Sequence, residues 1–273
     1  TFTDITWTAG ANPPGWFWGS GWADFDNDGW QDLYSANGWV YNQPGTELEL
    51  DFLSSVVGEQ DVYKTGALFD PAHFGDTSWH GWERNRHLRS QGLGPDGIVR
   101  YEEIGRATGT DLLLNSRGTA FADFWNRGVV DIAVAASTDR HALLRNTVGS
   151  RRAWLQVELV GGAGRLADGT NRDAVGARVE VRHAGSTQLR EVALGDGYGS
   201  QSSLRQHFGL GVDTSSEGTG ELRVDELLVT WPRSGRVERF IDVPANRIVE
   251  IVEGEGAWSE KVYRASISTA ISP

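Results

Sequence analysis

The stretch Asp24-Phe-Asp-Asn-Asp-Gly-Trp-Gln-Asp32 constrains this chain more than any other. It sets carboxylates at loop positions 1, 3, 5 and 9, with glycine at 6. Alternate residues of a tight turn can aim their side chains at one centre, and a hard cation such as Ca²⁺ takes six to eight oxygens. Gly29 permits the sharp bend that a Cβ would obstruct. The candidate ligands are the side chains of Asp24, Asp26, Asp28 and Asp32 and the main-chain carbonyl of Trp30. A helix–loop–helix site would continue to a bidentate Glu at position 12, where this chain has Ser35. The flanks Gly-Trp-Ala and Leu-Tyr-Ser-Ala read as strands. The expectation is a calcium loop between two β-strands, set against the plainer reading of an acidic solvated turn.

Charge supports a bound cation. Residues 1–80 hold twelve acids against Lys64 alone, a net −11 of the chain's −12. An acidic segment without a basic patch argues against nucleic acid and anionic membrane as partners. It favours divalent cations, which relieve self-repulsion. No apolar run approaches the ~18 residues of a membrane span. With no cysteine there is no disulfide framework and no thiol chemistry. The start Thr-Phe-Thr-Asp has no signal-peptide character and the chain contains no Met, so a processed product is expected. A secreted, extracellular or periplasmic setting suits a weak calcium loop better than cytosol does.

Thirty-five glycines and short strand signals between turn clusters point to all-β architecture. Leu155, Val157 and Leu159 alternate with Gln156 and Glu158, and Val179 and Val181 alternate with Arg178, Glu180 and Arg182. Residues 222–231, 237–243 and 248–252 read as further strands, the last apolar enough to be buried. A leucine-bearing helix is expected at 47–57. The expected division is 1–148, 149–254 and a C-terminal arm at 255–273 without periodicity.

The opening loop has a damaged second copy. Gly118-Thr-Ala-Phe-Ala-Asp-Phe-Trp-Asn-Arg-Gly-Val-Val-Asp131 aligns with Gly19-Ser-Gly-Trp-Ala-Asp-Phe-Asp-Asn-Asp-Gly-Trp-Gln-Asp32. Asp123 and Asp131 keep the first and last acids, while Trp125 and Arg127 replace the third and fifth. Arg127 is expected to put its guanidinium where a cation would sit, leaving a metal-free relic.

These loops resemble the FG-GAP (VCBS-type) repeats of integrin-like β-propellers. Asn85-Arg-His-Leu-Arg-Ser-Gln-Gly-Leu-Gly and Tyr101-Glu-Glu-Ile resemble the stretch between such repeats. Downstream, Trp154-Leu-Gln-Val-Glu-Leu-Val-Gly opens a region similar to the ASPIC/UnbV domain. Its motifs are Asn171-Arg-Asp-Ala-Val-Gly-Ala-Arg-Val, Gly195-Asp-Gly-Tyr-Gly-Ser-Gln, His207-Phe-Gly-Leu-Gly and Val229-Thr-Trp-Pro-Arg-Ser-Gly. Together the similarities cover roughly 15–253, as in the C-terminal half of a cartilage-acidic-protein-like chain. The resemblance implies partial propeller blades followed by a β-sandwich-like domain. It also implies a calcium-stabilised, usually secreted adhesion or binding protein, and carries no catalytic residues over. Two repeats cannot close a propeller, so the blade edges are expected to pair with other protein subunits or copies.

Other patterns carry less. No Gly-x-Ser-x-Gly, His-Glu-x-x-His or phosphate loop occurs. His73, His80 and His87 are seven apart, but Pro71 and Gly75 oppose the helix that would align them. His207 reads as a structural hydrogen-bonding group. Asp168, Asn171 and Asp173 form an oxygen-rich loop that Asx-turn chemistry explains without metal. Trp16, Trp18, Trp22, Trp30 and Trp39 are assigned mainly to core packing, with stacking on a glycan or a partner protein as the other use. Three functions stay open: a non-enzymatic binding or structural module, a UnbV-type biosynthetic tailoring enzyme with its site between the two halves, and a carbohydrate binder.

Overall fold

The computed structural model describes residues 2–38, 58, 60–65, 83–137, 140–149, 152–195, 197–212 and 221–263. The helix expected at 47–57 lies outside them, as do His73, His80 and Trp39. Among the described residues no helix is long and apolar enough to cross a membrane. The chain is all-β, with short helices at Thr6–Ala9, Gln60–Lys64 and Gly105–Thr108.

The N-terminal half contains β1 (Phe17–Ala23), β2 (Asp32–Asn37), β3 (Glu83–Arg84), β4 (Arg86–Leu93), β5 (Val99–Glu103), β6 (Leu113–Leu114), β7 (Ser116–Ala122), β8 (Asp131–Ala136) and β9 (Ala142–Leu144). They form an antiparallel sheet in the order β1-β2-β4-β5, a smaller one in the order β7-β8-β9 and the ribbon β3-β6. In both larger sheets the first hairpin encloses one of the two related loops, Ala23 pairing with Asp32 and Ala122 with Asp131. Phe25 and Tyr34 of the first repeat share a core with Phe121, Val130, Ile132 and Val134 of the second. Phe25 meets Phe121 edge to face at 5.5 Å, a geometry the ring quadrupoles favour.

The C-terminal half contains β10 (Ala153–Val160), β11 (Arg178–His183), β12 (Ser186–Glu191), β13 (Gln206–Gly211), β14 (Arg223–Thr230), β15 (Val237–Pro244), β16 (Arg247–Val252) and β17 (Trp258–Glu260). Two four-stranded sheets, β13-β10-β16-β17 and β12-β11-β14-β15, enclose one core. The alternating apolar residues fill it: Leu155 and Val157 from β10, Val179 and Val181 from β11, Val249 and Ile251 from β16. All these pairings are antiparallel except β10 with β16, which runs parallel from Leu155↔Arg247 to Val160↔Val252.

Two sequence expectations are corrected. Residues 255–263 do not form a separate arm: β17 pairs with β16, and the Lys261 ammonium meets Glu158 and Glu250. Three residues are too few to show a period. Secondly, the N-terminal tryptophans are not core. Trp7, Trp16, Trp22 and Trp30 are exposed and Trp18 is half-buried, whereas Trp231 is fully buried. Sheets this small have too little interior for so many indoles.

The 161–171 loop is organised by a residue that sequence pattern did not mark. Glu253 is fully buried. Its carboxylate accepts the Gly162 and Thr170 N–H groups, both at 2.7 Å, and the hydroxyls of Thr170 and Ser234. Burial alone would raise this acid, yet the donors from Ser234, Gly162 and Thr170 together hold it below the usual range. Asn171 caps the adjoining turn by bonding both backbone groups of Val175, and Asp168 and Asp173 point to solvent. Glu253→Ala orphans several buried donors, a loss of about 2–4 kcal/mol. Urea denaturation should register that loss, while Glu255→Ala, at an exposed neighbour, should stay within ~0.5 kcal/mol of the parent.

Candidate functional site

The two related loops share one main-chain framework. Asp24 accepts the N–H groups of Asp28 at 3.0 Å and Gly29 at 2.8 Å, as Asp123 accepts those of Arg127 at 2.9 Å and Gly128 at 2.6 Å. Asp32 accepts Phe25 N–H at 3.1 Å and Ser90 N–H at 2.8 Å, as Asp131 accepts Phe124 N–H at 3.2 Å and Asn146 N–H at 2.7 Å. Asn27 and Asn126 both sit in the left-handed region, at φ 59° and 51°, which Asn tolerates better than most side chains.

The loops differ where the third and fifth residues differ. In the second, Arg127 Nη2 lies 2.6 Å from Asp131 Oδ1 and Nη1 donates to the Asn146 carbonyl at 2.8 Å, so the expected internal ion pair is present. In the first, Asp24, Asp26 and Asp28 each offer a ligand oxygen, all within 4.8 Å of one another. Asp32 is not in this group; both its oxygens hold main-chain N–H groups. Trp30 gives its N–H to Asp28 Oδ1 at 2.8 Å.

Asp24, Asp28 and Asp32 sit where burial disfavours their charged forms. Burial, reinforced by Asp28, Asp32 and Asp26 and opposed by the Gly29 N–H, pushes Asp24 up to about 8. Burial likewise pushes Asp32 up to about 7, against the pull of the Ser90 and Phe25 N–H groups, and raises Asp28. Arg152, 2.9 Å from Asp26 Oδ1 and 3.9 Å from Asp28 Oδ2, is the nearby counter-charge. The Asp26 Oδ1 atom is buried without hydrogen-bonding geometry to any donor. An all-oxygen, acid-rich cluster of this kind suits a hard cation.

Both loops dock on the outer face of the β13-β10-β16-β17 sheet, and the contact is polar. Asn27 Nδ2 donates to the carbonyls of Gly128 at 2.8 Å and Gly149 at 3.0 Å, which fixes its Oδ1 as an acceptor. His207 Nε2, 2.6 Å away, therefore carries the imidazole proton. His207 Nδ1 then accepts from Gln156 Nε2 at 3.2 Å, and the same amide donates to Asp123 Oδ2 at 3.1 Å. Gln156 Oε1 takes Arg205 Nη1 at 3.0 Å, and that nitrogen also reaches Asn126 Oδ1 at 2.8 Å. Gln156 belongs to the polar half of the β10 alternation, yet it is 1% exposed because the loops cover it. Two glycines make the approach possible. A Cβ on Gly209 would fall 2.1 Å from Asp24 Oδ2, and one on Gly128 would fall 1.8 Å from Trp154 Cε2.

Beside this seam lies a cleft of about 420 Å³. Trp22 and Phe121 line it from the N-terminal sheets, and Arg190, Ser202, Arg205 and His207 from the sandwich. His207 has both nitrogens engaged; desolvation, with the charges of Arg190 and Arg205, pushes it down to about 3. The hydrogen bonds anticipated for His207 are thus present and tie the two halves together. Gln156 and Asn27 had no sequence mark beyond lying in a strand and a turn.

Residues 167–257 match the family model described as ASPIC and UnbV. No curated protein matches the chain. The matched stretch begins after β10 and ends before β17, so the folded sandwich is larger than the match.

Titration tests the junction. His207 is held below the ordinary 6.5 of an unfolded histidine, so between pH 6.5 and about 3 the native state binds fewer protons than the unfolded one. Its contribution is complete above pH 6.5 and is lost as pH falls through that window. Thermal or urea unfolding should show a loss of about 1–2 kcal/mol from this group between pH 7 and 5. His207→Gln should remove that loss and leave the opposite trend of Asp24 and Asp32, whose raised values make the native state the more protonated one between pH 7 and 5. Gly209→Ala should destabilise the junction by about 2 kcal/mol or more through overpacking; an unchanged midpoint would mean that the loop does not press on β13.

Proposed function

We propose a non-catalytic, calcium-stabilised binding module in which an ion held by the 24–32 loop braces one wall of the junction cleft. One observation carries this reading: Asp24, Asp26 and Asp28 converge within 4.8 Å in the same loop that docks on the sandwich. Asp24, Asp26 and Asp28 would hold the ion, with Asp32 and the Trp30 carbonyl as the further ligands the loop spacing suggests. The ion would add positive charge to that of Arg152, which faces Asp26 and Asp28 but forms no ion pair with the buried Asp24. The resemblance of both loops to FG-GAP repeats supports the same reading and favours a secreted or periplasmic setting. Interaction with protein partners or further copies would use sheet edges such as β9, where Leu143 is 53% exposed.

The enzymatic alternative, a UnbV-type tailoring activity, has the cleft in its favour. Against it, Asp24 is engaged within its own loop, and His207 and Asp123 in the polar network of the junction. A general base needs a group free to take a proton from its substrate. The carbohydrate alternative gains from Trp22, half exposed on the cleft wall and tilted against Tyr101 at 5.7 Å.

Calorimetric calcium titration and thermal scans in 2 mM Ca²⁺ or chelator test the proposal. With a dissociation constant near 10⁻⁴ M, linkage adds about 1.8 kcal/mol of stability. Asp26→Ala should abolish the calcium-dependent gain. Asp123→Ala should keep it even if its baseline falls. Absence of a gain in the parent chain, or equal loss of it in both variants, would overturn the assignment. Light scattering in the same two buffers reads the partner claim, which needs species above the 29.9 kDa chain.

A further inference from the structure

Arg190 is a cation built into the cleft with no direct ion-pair partner among the described residues; Asp24, which lines the same cleft, is the acid whose charge reaches it. On β12 its guanidinium carbon lies 5.2 Å from the ring centre of the fully buried Phe208. Nη2 is held 3.1 Å from Gln188 Oε1, and Gln188 is itself fixed by donating Nε2 to the Gly209 carbonyl at 2.7 Å. Nη1 donates to the Leu189 carbonyl at 3.0 Å. Among the described residues no carboxylate lies within ion-pair distance of it, whereas its β-sheet neighbours Arg178 and Arg182 pair with Glu191 and with Glu180 and Glu226. Burial lowers Arg190 from its usual range, so keeping this charge costs solvation. A planar guanidinium fixed by stacking and by a supported hydrogen bond is prepared to receive a planar, bidentate anion.

The remaining wall says what such an anion is attached to. Trp22 and Phe121 give the same cleft aromatic surface, and Ser202 and Gln31 stand among its polar lining. The cleft's carboxylates are already engaged: Asp24 with the Asp28 and Gly29 N–H groups, Asp123 with Gly128 and Gln156, and Glu191 with Arg178. A cleft of about 420 Å³ accommodates one or two rings. We infer that the junction cleft binds a ring-bearing carboxylate, with the carboxylate on Arg190 and the ring against the Trp22 side. This rests on the reading of the protein as a binding module and names its ligand class. A sugar acid and an aryl acid share that chemistry.

The test titrates the full chain in calcium with glucuronate and benzoate, each against its neutral counterpart, glucose and benzyl alcohol, following Trp fluorescence and calorimetric heat. At least one acid should bind about tenfold or more tighter than its counterpart, the scale of a charge-assisted pair. Arg190→Met, which keeps an apolar stem over Phe208, should erase that preference, and Arg190→Lys should retain part of it. Trp22→Ala should weaken the acid that binds. Glucuronate alone identifies a sugar acid, and benzoate alone an aryl acid. The inference is overturned if neither acid binds, if neutral counterparts bind equally, or if the preference survives Arg190→Met. Calcium binding, measured on the same samples, reports separately on the module itself, so a silent cleft beside an intact calcium response rejects only the ligand class.

Discussion

The two halves meet through a polar network centred on one buried amide, that of Asn27. Asn27 occupies a left-handed turn position, is wholly enclosed, and directs both amide hydrogens and its carbonyl oxygen across element boundaries. Its NH₂ group spans to the second loop and to the segment entering the sandwich, and its oxygen receives His207. That geometry leaves no freedom for the histidine tautomer, the Gln156 orientation or the separation of the loops. Satisfied polar networks in low dielectric fix one arrangement because each misplaced member orphans another. Apolar contact could tolerate sliding; this seam cannot.

Around this point the molecule solves one problem twice. Each loop uses a first and a ninth acid to order its backbone, Asp24, Asp32 and Asp131 fully buried and Asp123 partly so, and each must then accommodate acids away from water. The second loop carries its counter-charge covalently, as Arg127. The first presents three converging carboxylates and has Arg152 at its margin. Sequence divergence at the third and fifth positions therefore changes the source of the cation while leaving the hydrogen-bonded frame in place. The frame is the older requirement in physical terms, since the sandwich rests on it in both repeats.

Much of this was legible from residue patterns. Period-two alternation located β10 and β11, because a strand buried on one face must alternate, and short apolar runs located β14–β16. The acidic loop and its copy were visible because ligand spacing is local, and Arg127 could be read by alignment to Asp28. What stayed hidden depends on cover from elsewhere in the chain. Gln156 looks like an ordinary outward residue until the loops settle on it. Glu253 looks like a surface acid at a strand end until four donors from the 161–171 loop and Ser234 converge on it. The tryptophans misled for the opposite reason: average burial of a residue type says nothing about how much interior a small sheet possesses.

The parallel pairing of β10 with β16 has a consequence for how the molecule is made. β10 is the first strand of the sandwich to leave the ribosome, and the neighbour that runs beside it is among the last. Until that late strand arrives, one edge of β10 stands open with Leu155, Val157 and Leu159 exposed beside it. Contacts so distant along the chain make closure slow. During that interval the N-terminal loops fit only the polar face of β10, around Gln156, and the apolar face waits for the strands that close the core. The junction that braces the finished protein therefore covers one face of β10 and leaves its edge and its core face to the last strands of the sandwich.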